Sequence, residues 1–232
     1  MSTSHPYYPV GAEIPNYIPN ELGALTLCSI FAVASIAVLV ISRAVAIRLN
    51  PQISFYEYAK VFWFSLCSPI HFVLEGYYAR NFATLQGSLD LLAQLWKEYS
   101  LSDSRYLTSD GFTMCMESVT AWCWGPLTLL LAYFTITDHP FRHPLQIIVS
   151  TGQLYGNVLY LGIVAFDASV YGLQYSRPED YYFYGYFVLL NGFWIVIPIL
   201  LIAESVRASA KAFAELQRLK TAGVNGDAKK RT

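Results

Sequence analysis

The sequence predicts an all-α, polytopic membrane protein, and three features of its composition carry that prediction. The 232 residues are 55% hydrophobic and only 13% charged, whereas about 25% of the residues in a soluble domain are charged. Five apolar stretches reach the roughly 20 residues that a helix needs to cross the hydrocarbon core. Aromatic residues make up 16% of the chain, an excess typical of membrane interfaces and apolar pockets.

The segment before the first apolar stretch, residues 1–22, is expected to be an arm. It contains four prolines and has neither a basic n-region nor a cleavage site, so it lacks the pattern of a removable signal peptide. Proline disfavours the helix interior and is tolerated in extended backbone. We therefore expect an extended arm that lies on the membrane surface.

Residues 23–205 are expected to form one domain of five membrane-spanning helices. The first span has no charge, the second and third contain ionisable side chains, and the fifth opens with an aromatic cluster typical of a membrane interface. The pair Gly125-Pro126 predicts a kink in the third span. The expected spans are residues 23–42, 61–80, 113–135, 145–166 and 182–204.

The loop between the second and third spans contains the sequence QLWKEYSLSDSRYLTSD. Its Leu, Trp and Tyr residues alternate with charged residues in a pattern that predicts a short amphipathic helix at the interface. We expect this helix to act as a lid.

The distribution of Lys and Arg predicts the orientation of the chain. The side that holds the N-terminal arm has 4 of the 15 Lys and Arg residues, and the opposite side has 11. The positive-inside rule places the arm in the lumen and the basic tail, residues 206–232, in the cytoplasm. Lys229 and Lys230 resemble a retrieval address of the endoplasmic reticulum, which predicts that membrane; a solvated basic tail is the alternative.

His71 and Glu75 are ionisable side chains inside the second span, in the run FSLCSPIHFVLEGYY. A spacing of four residues places both on one face of an α-helix, one turn apart. Ionisable groups at membrane depth are costly and by default indicate a functional site. A histidine beside a carboxylate can give and recover a proton near neutral pH. The alternative is a structural hydrogen bond between helices.

A second buried acid, Glu117, lies in the third span, with Thr120 three residues further on. No Lys or Arg lies inside the spans away from their ends, so a histidine is the only basic partner available to Glu117 at that depth. This favours proton transfer over an interhelical salt bridge.

Polar side chains in the fourth and fifth spans complete the set. Asn191 and Trp194 lie three residues apart, and an Asn can fix a histidine tautomer while a Trp face can stabilise a cation. Alone, such a pair is most often a packing feature. Gln153 and Asn157 are interpreted as hydrogen-bonding residues between helices.

Several classes of chemistry lack their motifs in this sequence. We find no Gly-rich phosphate loop, no HExxH, no GxSxG and no dinucleotide fingerprint. The four cysteines lie in apolar runs without the spacing of metal ligands. We therefore expect no cofactor and no metal. Acid–base chemistry on a lipid-like substrate, in which a double bond is protonated and a proton is lost elsewhere, remains.

The motifs resemble those of the emopamil-binding protein family, the sterol Δ8-Δ7 isomerases with an EXPERA domain. The resemblance covers nearly the whole chain, from HPYYP and PNYIPN to the basic tail, and its most specific block is QLWKEYSLSDSRY followed by FTMCMESVTAWCWGPL. The segments IHFVLEGYY, GQLYGNVLY and FVLLNGFWIVIP match as well. The resemblance implies five transmembrane helices that enclose a sterol-sized cavity.

The resemblance also implies roles for individual residues. The His71/Glu75 pair would deliver a proton to C9 of a Δ8-sterol, and the resulting C8 cation would lie against an indole ring. A second acid would assist the loss of the C7 proton, although which acid gives and which takes stays open. Trp96 and Tyr106 would line the cavity mouth. The catalytic residues implied in this way are His71, Glu75, Glu117, Thr120, Asn191 and Trp194.

The chain departs from the family at Asn157, where an Asp is expected. The change leaves the His/Glu set intact and bears on helix pairing, cavity polarity or substrate choice. Two alternatives stay open: a proton-initiated terpenoid cyclase or isomerase, and a non-catalytic membrane protein that binds sterols or amphiphiles. The expected partners are a sterol or terpenoid substrate and membrane lipids, with a homodimer as an open alternative and no nucleic acid.

Overall fold

The computed structural model describes residues 5–229, with side chains up to residue 222, and these residues form six helices joined by short loops. No strand occurs within this range. Two short 3-10 turns, Leu85–Gly87 and Ser104–Leu107, flank the third helix. The helices are α1 (Ala24–Leu49), α2 (residues 55–81), α3 (Leu91–Tyr99), α4 (Gly111–Ile136), α5 (Arg142–Tyr171) and α6 (residues 181–229).

Four of these helices are long and apolar enough to cross a membrane, which confirms the predicted class of helical membrane protein. They are α1, α4, α5 and the part Tyr181–Ala222 of α6. Helix α2 contains the second predicted span but is not among the four. Its apolar sequence is interrupted by His71, Glu75 and several other polar side chains. The count of five spans therefore stays a prediction.

Helix α6 continues beyond residue 205, where the predicted membrane domain ends. The residues that follow are mostly Ala, Lys, Arg, Glu and Leu, which are strong helix formers. No proline interrupts them, so the helix has no reason to stop at the boundary. Lys230, the second lysine of the predicted retrieval address, lies outside the described residues.

Side-chain caps fix where three helices begin. Ser54, Asp90 and Asp110 each accept a hydrogen bond from a backbone N–H in the first turn of the helix that follows, at 3.1, 3.1 and 2.8 Å. These bonds satisfy amide groups that have no partner inside the helix. At the other end of α5, Gly172 adopts a left-handed φ of 68° and ends the helix.

Three helices contain a π-helical segment, a feature often found at functional sites. In α2 it covers Ile70–Glu75, directly after Pro69, whose ring and missing N–H disturb the α-helical pattern. In α4 it covers Thr120–Trp124 and ends at the predicted kink site, Gly125-Pro126. In α6 it is the first part, Tyr181–Leu190. The first two segments pack against each other.

The five longer helices pack in chain order, α1 on α2, α2 on α4, α4 on α5 and α5 on α6. The contact between α2 and α4 is close at Gly125, because a Cβ there would lie 2.9 Å from the ring of Phe72. Ser68 donates to the carbonyl of Gly125 at 3.2 Å. The side chains of Tyr78 and Thr113 are hydrogen-bonded at 3.0 Å. These contacts lie on both sides of the two π segments and hold the segments against each other.

Residues 5–22, 82–110 and 172–180 fold together over one end of the bundle, and we call them the outer cap. The arm is not merely extended along a surface, because it bonds to α3. The ammonium group of buried Lys97 donates to the carbonyls of Ile18 and Ser88 at 2.8 and 2.7 Å. The Tyr7 hydroxyl donates to the carbonyl of Lys97 at 3.0 Å. Burial lowers the pKa of Lys97, while nearby Asp90 opposes the shift.

Gly152 on α5 makes room for Trp124 of α4. A Cβ at Gly152 would overlap the indole ring of Trp124, so Gly152→Ala forces the ring or the helices apart. We expect the variant to lose about 1–3 kcal/mol of unfolding free energy, the usual cost of overpacking. Unfolding of the detergent-solubilised protein, followed by circular dichroism, measures it.

Gly156, one turn further along α5, is the matched control. A Cβ there would have nothing within 4 Å. Gly156→Ala is expected to raise stability by up to about 1 kcal/mol, because alanine has the higher helix propensity. Equal effects of the two substitutions would contradict the proposed steric role of Gly152.

Candidate active site

Five polar side chains form a continuous chain of contacts across the bundle. They come from α5, α2, α4 and the outer cap. Four of them are buried, and Glu75 is half-buried. We call this set the polar chain; in order of contact its members are Gln153, His71, Glu75, Glu117 and Tyr106.

The contact predicted from the four-residue spacing is present within α2. Nδ1 of His71 lies 2.8 Å from Oε2 and 2.9 Å from Oε1 of Glu75. Both residues belong to the π segment, and the imidazole is only 1% exposed. The pair is thus preorganised and shielded from bulk water.

Glu117 of α4 faces the same pair from the neighbouring helix. Its carboxyl group lies within hydrogen-bonding reach of the carboxyl group of Glu75. The hydroxyl of Tyr106 donates to Oε1 of Glu117 at 2.5 Å. Two carboxyl groups in contact in a medium of low dielectric constant resist double ionisation, so one of them tends to hold a proton. This arrangement can give a proton with one acid and take a proton with the other.

The structure places the other predicted catalytic residues around this centre. Thr120 is half-buried in the π segment of α4, and its hydroxyl donates to the carbonyl of Met116 at 2.6 Å. Asn191 begins the α-helical part of α6 and lies 3.4 Å from the hydroxyl of Tyr99. Trp194 packs on Trp63, with ring centroids 5.1 Å apart. These three residues flank the polar chain, and none of their described hydrogen bonds involves its members.

The predicted mouth residues, Trp96 and Tyr106, lie inside an aromatic cluster. Their ring centroids are 4.6 Å apart, and the two side chains are 8% and 3% exposed. The indole N–H of Trp96 donates to the carbonyl of Leu74 at 2.8 Å. Tyr106 thus contacts Glu117, a candidate catalytic acid. The prediction had placed Tyr106 at the cavity mouth and had not included this contact.

Gln153 contacts His71, which its position in the sequence did not predict. Its Nε2 lies 3.0 Å from Nε2 of His71, and its side chain is 4% exposed. The sequence signal was present, since Gln153 is a polar residue in an apolar span. That signal also fits a simple bond between helices, so the partner became evident only from the structure.

Asn157, where the chain departs from its expected family, joins α5 to α6. Its Nδ2 donates to the backbone carbonyl of Asn191 at 2.7 Å, and the side chain is 8% exposed. An ionised aspartate has no donor for this bond. The amide therefore anchors α6 where its π segment gives way to α-helix.

Asn157→Asp is expected to destabilise the protein. An ionised carboxylate would replace the donated bond by repulsion between two oxygens, at a cost of about 1–3 kcal/mol. Thermal unfolding in detergent at neutral pH measures the effect. Asn81→Asp serves as the control, since it also removes a bond to a backbone carbonyl, that of Tyr77, but near the helix end. A variant Asn157→Asp as stable as the unsubstituted protein would contradict the anchoring role.

The fold and the polar chain define a class: a helical membrane protein with a buried acid–base site. The family model of EXPERA, the EXPanded EBP superfamily, matches residues 91–205. The chain is 38% identical over 212 residues to the 3-beta-hydroxysteroid-Delta(8),Delta(7)-isomerase of Rattus norvegicus, which covers 89% of each protein. It is 29% identical to the probable isomerase of the same name in Oryza sativa subsp. japonica, over 90% of this chain and 94% of that protein.

The chain belongs to the family of these isomerases, within the EXPERA superfamily. The expected family is thereby confirmed. A shorter similarity extends to the protoglabretal synthase of Citrus sinensis, which is 34% identical over 60% of this chain and 64% of its own length.

Proposed function

We propose that this protein is a sterol Δ8-Δ7 isomerase that needs only its own side chains for the proton transfers. The contact between Glu75 and Glu117 is the observation that supports the proposal most strongly. It joins two acids from different helices at one point, beside a buried imidazole. The names of the full-length relatives supply the substrate class, a 3β-hydroxysteroid.

The proposed reaction begins with protonation of the double bond between C8 and C9. Glu75, held by His71, gives its proton to C9, and the π electrons leave a cation at C8. Glu75 is 12% exposed and Glu117 is 5% exposed, so Glu75 is proposed as the acid that an incoming substrate meets first. The face of Trp194 is proposed to stabilise the cation.

Loss of a proton from C7 completes the reaction. The electrons of the C7–H bond form the new double bond between C7 and C8, and Glu117 takes the proton with the assistance of Thr120. The bond from Tyr106 stabilises Glu117 as a carboxylate, the form that can accept a proton. Return of one proton to Glu75 and release of one from Glu117 restore the starting state.

The proposal includes the setting of the site in the membrane. We place α2 as a fifth span and a sterol-sized cavity beside the polar chain. The arm would be lumenal and the tail cytoplasmic, in the membrane of the endoplasmic reticulum. An odd number of spans is supported by the outer cap, in which the arm and the segments 82–110 and 172–180 all lie at one end of the bundle. The chain would then cross the membrane twice between successive segments and once more after the last. Native mass spectrometry or crosslinking measures whether the protein forms a homodimer.

A terpenoid substrate is the second candidate. The similarity to protoglabretal synthase and to the isomeliandiol synthase of Ailanthus altissima, 33% identical over 60% of this chain, favours it as the alternative. The same polar chain can protonate a terpenoid double bond. A purely binding protein needs a pocket but no pair of acids in contact, so the polar chain favours an enzyme.

Expression in cells that lack their own sterol isomerase, followed by sterol profiling, tests the proposal. We expect the accumulated Δ8-sterol to be converted to the Δ7-sterol. The Glu117→Gln variant in the same cells should leave the Δ8-sterol in place. Unchanged Δ8-sterol despite normal membrane expression of the unsubstituted protein would reject the sterol reaction, and extracts of terpenoid-producing cells would then be profiled for new products.

A further inference from the structure

Both ring nitrogens of His71 are occupied by side chains of the protein. Nδ1 faces the two carboxyl oxygens of Glu75 at 2.8 and 2.9 Å. Nε2 faces Nε2 of Gln153 at 3.0 Å. No ring nitrogen is left for a substrate, so His71 acts on the reaction through Glu75. The tautomer of His71 decides whether Glu75 faces an N–H donor. The side chain that fixes this tautomer therefore influences how readily Glu75 gives up its proton.

The pairing of donors with acceptors assigns that tautomer. The amide nitrogen of Gln153 can only donate, so Nε2 of a neutral His71 accepts and its proton lies on Nδ1. A proton on Nδ1 points between both oxygens of Glu75, which matches their nearly equal distances. With Nδ1 as the donor, a proton held by Glu75 lies on the part of its carboxyl group that faces away from His71. The geometry therefore favours the Nδ1–H form.

The amide nitrogen of Gln153 faces His71, and in this orientation the amide oxygen has no good hydrogen-bond partner. Oε1 is buried and has no hydrogen-bond partner among the described residues. A buried amide oxygen without a good partner is costly. The bond to His71 is thus the contact that accounts for this side chain.

We propose that Gln153 is a positioning residue that fixes the tautomer of His71, with the proton on Nδ1 facing Glu75. The inference rests on the proposed function, because it assigns Gln153 a part in the same proton transfer. Gln153 donates from α5, so the bond also ties the α2 pair to a third helix. Glu75 then faces a fixed N–H donor each time it gives up its proton.

Nitrogen NMR of the solubilised protein labelled with ¹⁵N-histidine tests the tautomer directly. The chain has four histidines, and loss of one signal set in a His71→Asn variant assigns His71. We expect Nδ1 to be protonated and Nε2 to be unprotonated in the unsubstituted protein. Protonated Nε2 together with unprotonated Nδ1 would overturn the proposal, even if every variant at Gln153 failed to fold.

Two substitutions test the consequence for catalysis. Gln153→Leu removes the donor, and Gln153→Glu replaces it by an acceptor that draws the proton to Nε2. Supporting residues of this kind typically change activity by about 10- to 100-fold. We expect kcat to fall by that factor with little change in KM, and the Nε2–H signal to appear in Gln153→Glu.

Gln146→Leu is the matched control. Gln146 lies on the same helix, is 3% exposed, and donates to the carbonyl of Leu201 at 2.9 Å and to Oε2 of Glu204 at 3.2 Å. Its loss removes two hydrogen bonds between helices without touching His71, so kcat and the His71 signals should not change. Equal losses of kcat in Gln153→Leu and Gln146→Leu would show a merely structural role and overturn the proposal. If the unsubstituted protein had no isomerase activity, the proposed function would fail, while the NMR signals would still decide the tautomer.

Discussion

Glu117→Gln is expected to lower turnover by about 10³-fold or more, within the range that general acid–base groups contribute. The amide cannot take the C7 proton, and it removes one of the two acids that meet at the centre. The hydrogen bond from Tyr106 can remain, since an amide oxygen also accepts. Folding and binding of the substrate should therefore persist. Conversion of Δ8-sterol by purified protein in detergent measures turnover.

Glu98→Gln is the control for this experiment. Glu98 lies on α3 in the outer cap and accepts a hydrogen bond from Tyr186 at 3.3 Å, and none of its hydrogen bonds among the described residues reaches the polar chain. The Glu98→Gln variant is expected to turn over the substrate within about twofold of the rate of the unsubstituted protein. Activity of Glu117→Gln close to that of Glu98→Gln would remove Glu117 from its assigned role. A binding assay with a labelled sterol separates lost chemistry from lost affinity.

Arg105→Met is expected to cost about 3–5 kcal/mol of stability, the usual effect of breaking a buried ion pair by removing one partner. Nε and Nη2 of Arg105 contact the carboxylate of Asp103 at 3.0 and 2.6 Å. The two residues are 1% and 0% exposed, and Tyr160 donates to the same carboxylate at 2.5 Å. Methionine fills the volume but leaves Asp103 charged and buried. Unfolding in detergent, followed by intrinsic fluorescence, measures the loss.

Arg177→Met is the counterpart at the surface. Arg177 also pairs with an acid two residues away, Glu179, but its side chain is 28% exposed. An exposed pair contributes about 0–1 kcal/mol. The difference between the two variants therefore isolates the effect of burial. Similar losses in both would mean that Asp103 finds another partner or takes up a proton.

Most of the fold follows from features that are local in the sequence. Apolar length predicts the helices, and the spacing of His71 and Glu75 predicts their contact, because both depend on residues within one helix. The extension of α6 was not predicted, since the end of a hydrophobic run marks where the membrane ends and not where the helix ends. Pro69 and Gly125-Pro126 indicate irregular helix, but the π segments also depend on packing between α2 and α4.

The site is less predictable because it depends on contacts between distant segments. The sequence identifies Glu117 as a buried acid but does not say that it meets Glu75. Tyr106 reaches Glu117 because the loop that holds it folds back over the bundle. Gln153 and Asn157 both are polar residues in one apolar span, yet one contacts an imidazole and the other a backbone carbonyl. They lie on the same face of α5, one turn apart, so the difference arises from which neighbouring helix each side chain reaches at its level in the bundle.

The hydrogen bond from Tyr106 to Glu117 makes the outer cap and the acid pair one thermodynamic unit. By linkage, a ligand that binds only when Tyr106 is in place also stabilises the cap, and any change that loosens the cap weakens that ligand by the same free energy. The arm is tied to α3 through Lys97, so this coupling reaches the first described residues of the chain. Occupancy of a site inside the helix bundle is thus expressed as protection of a segment outside the bundle.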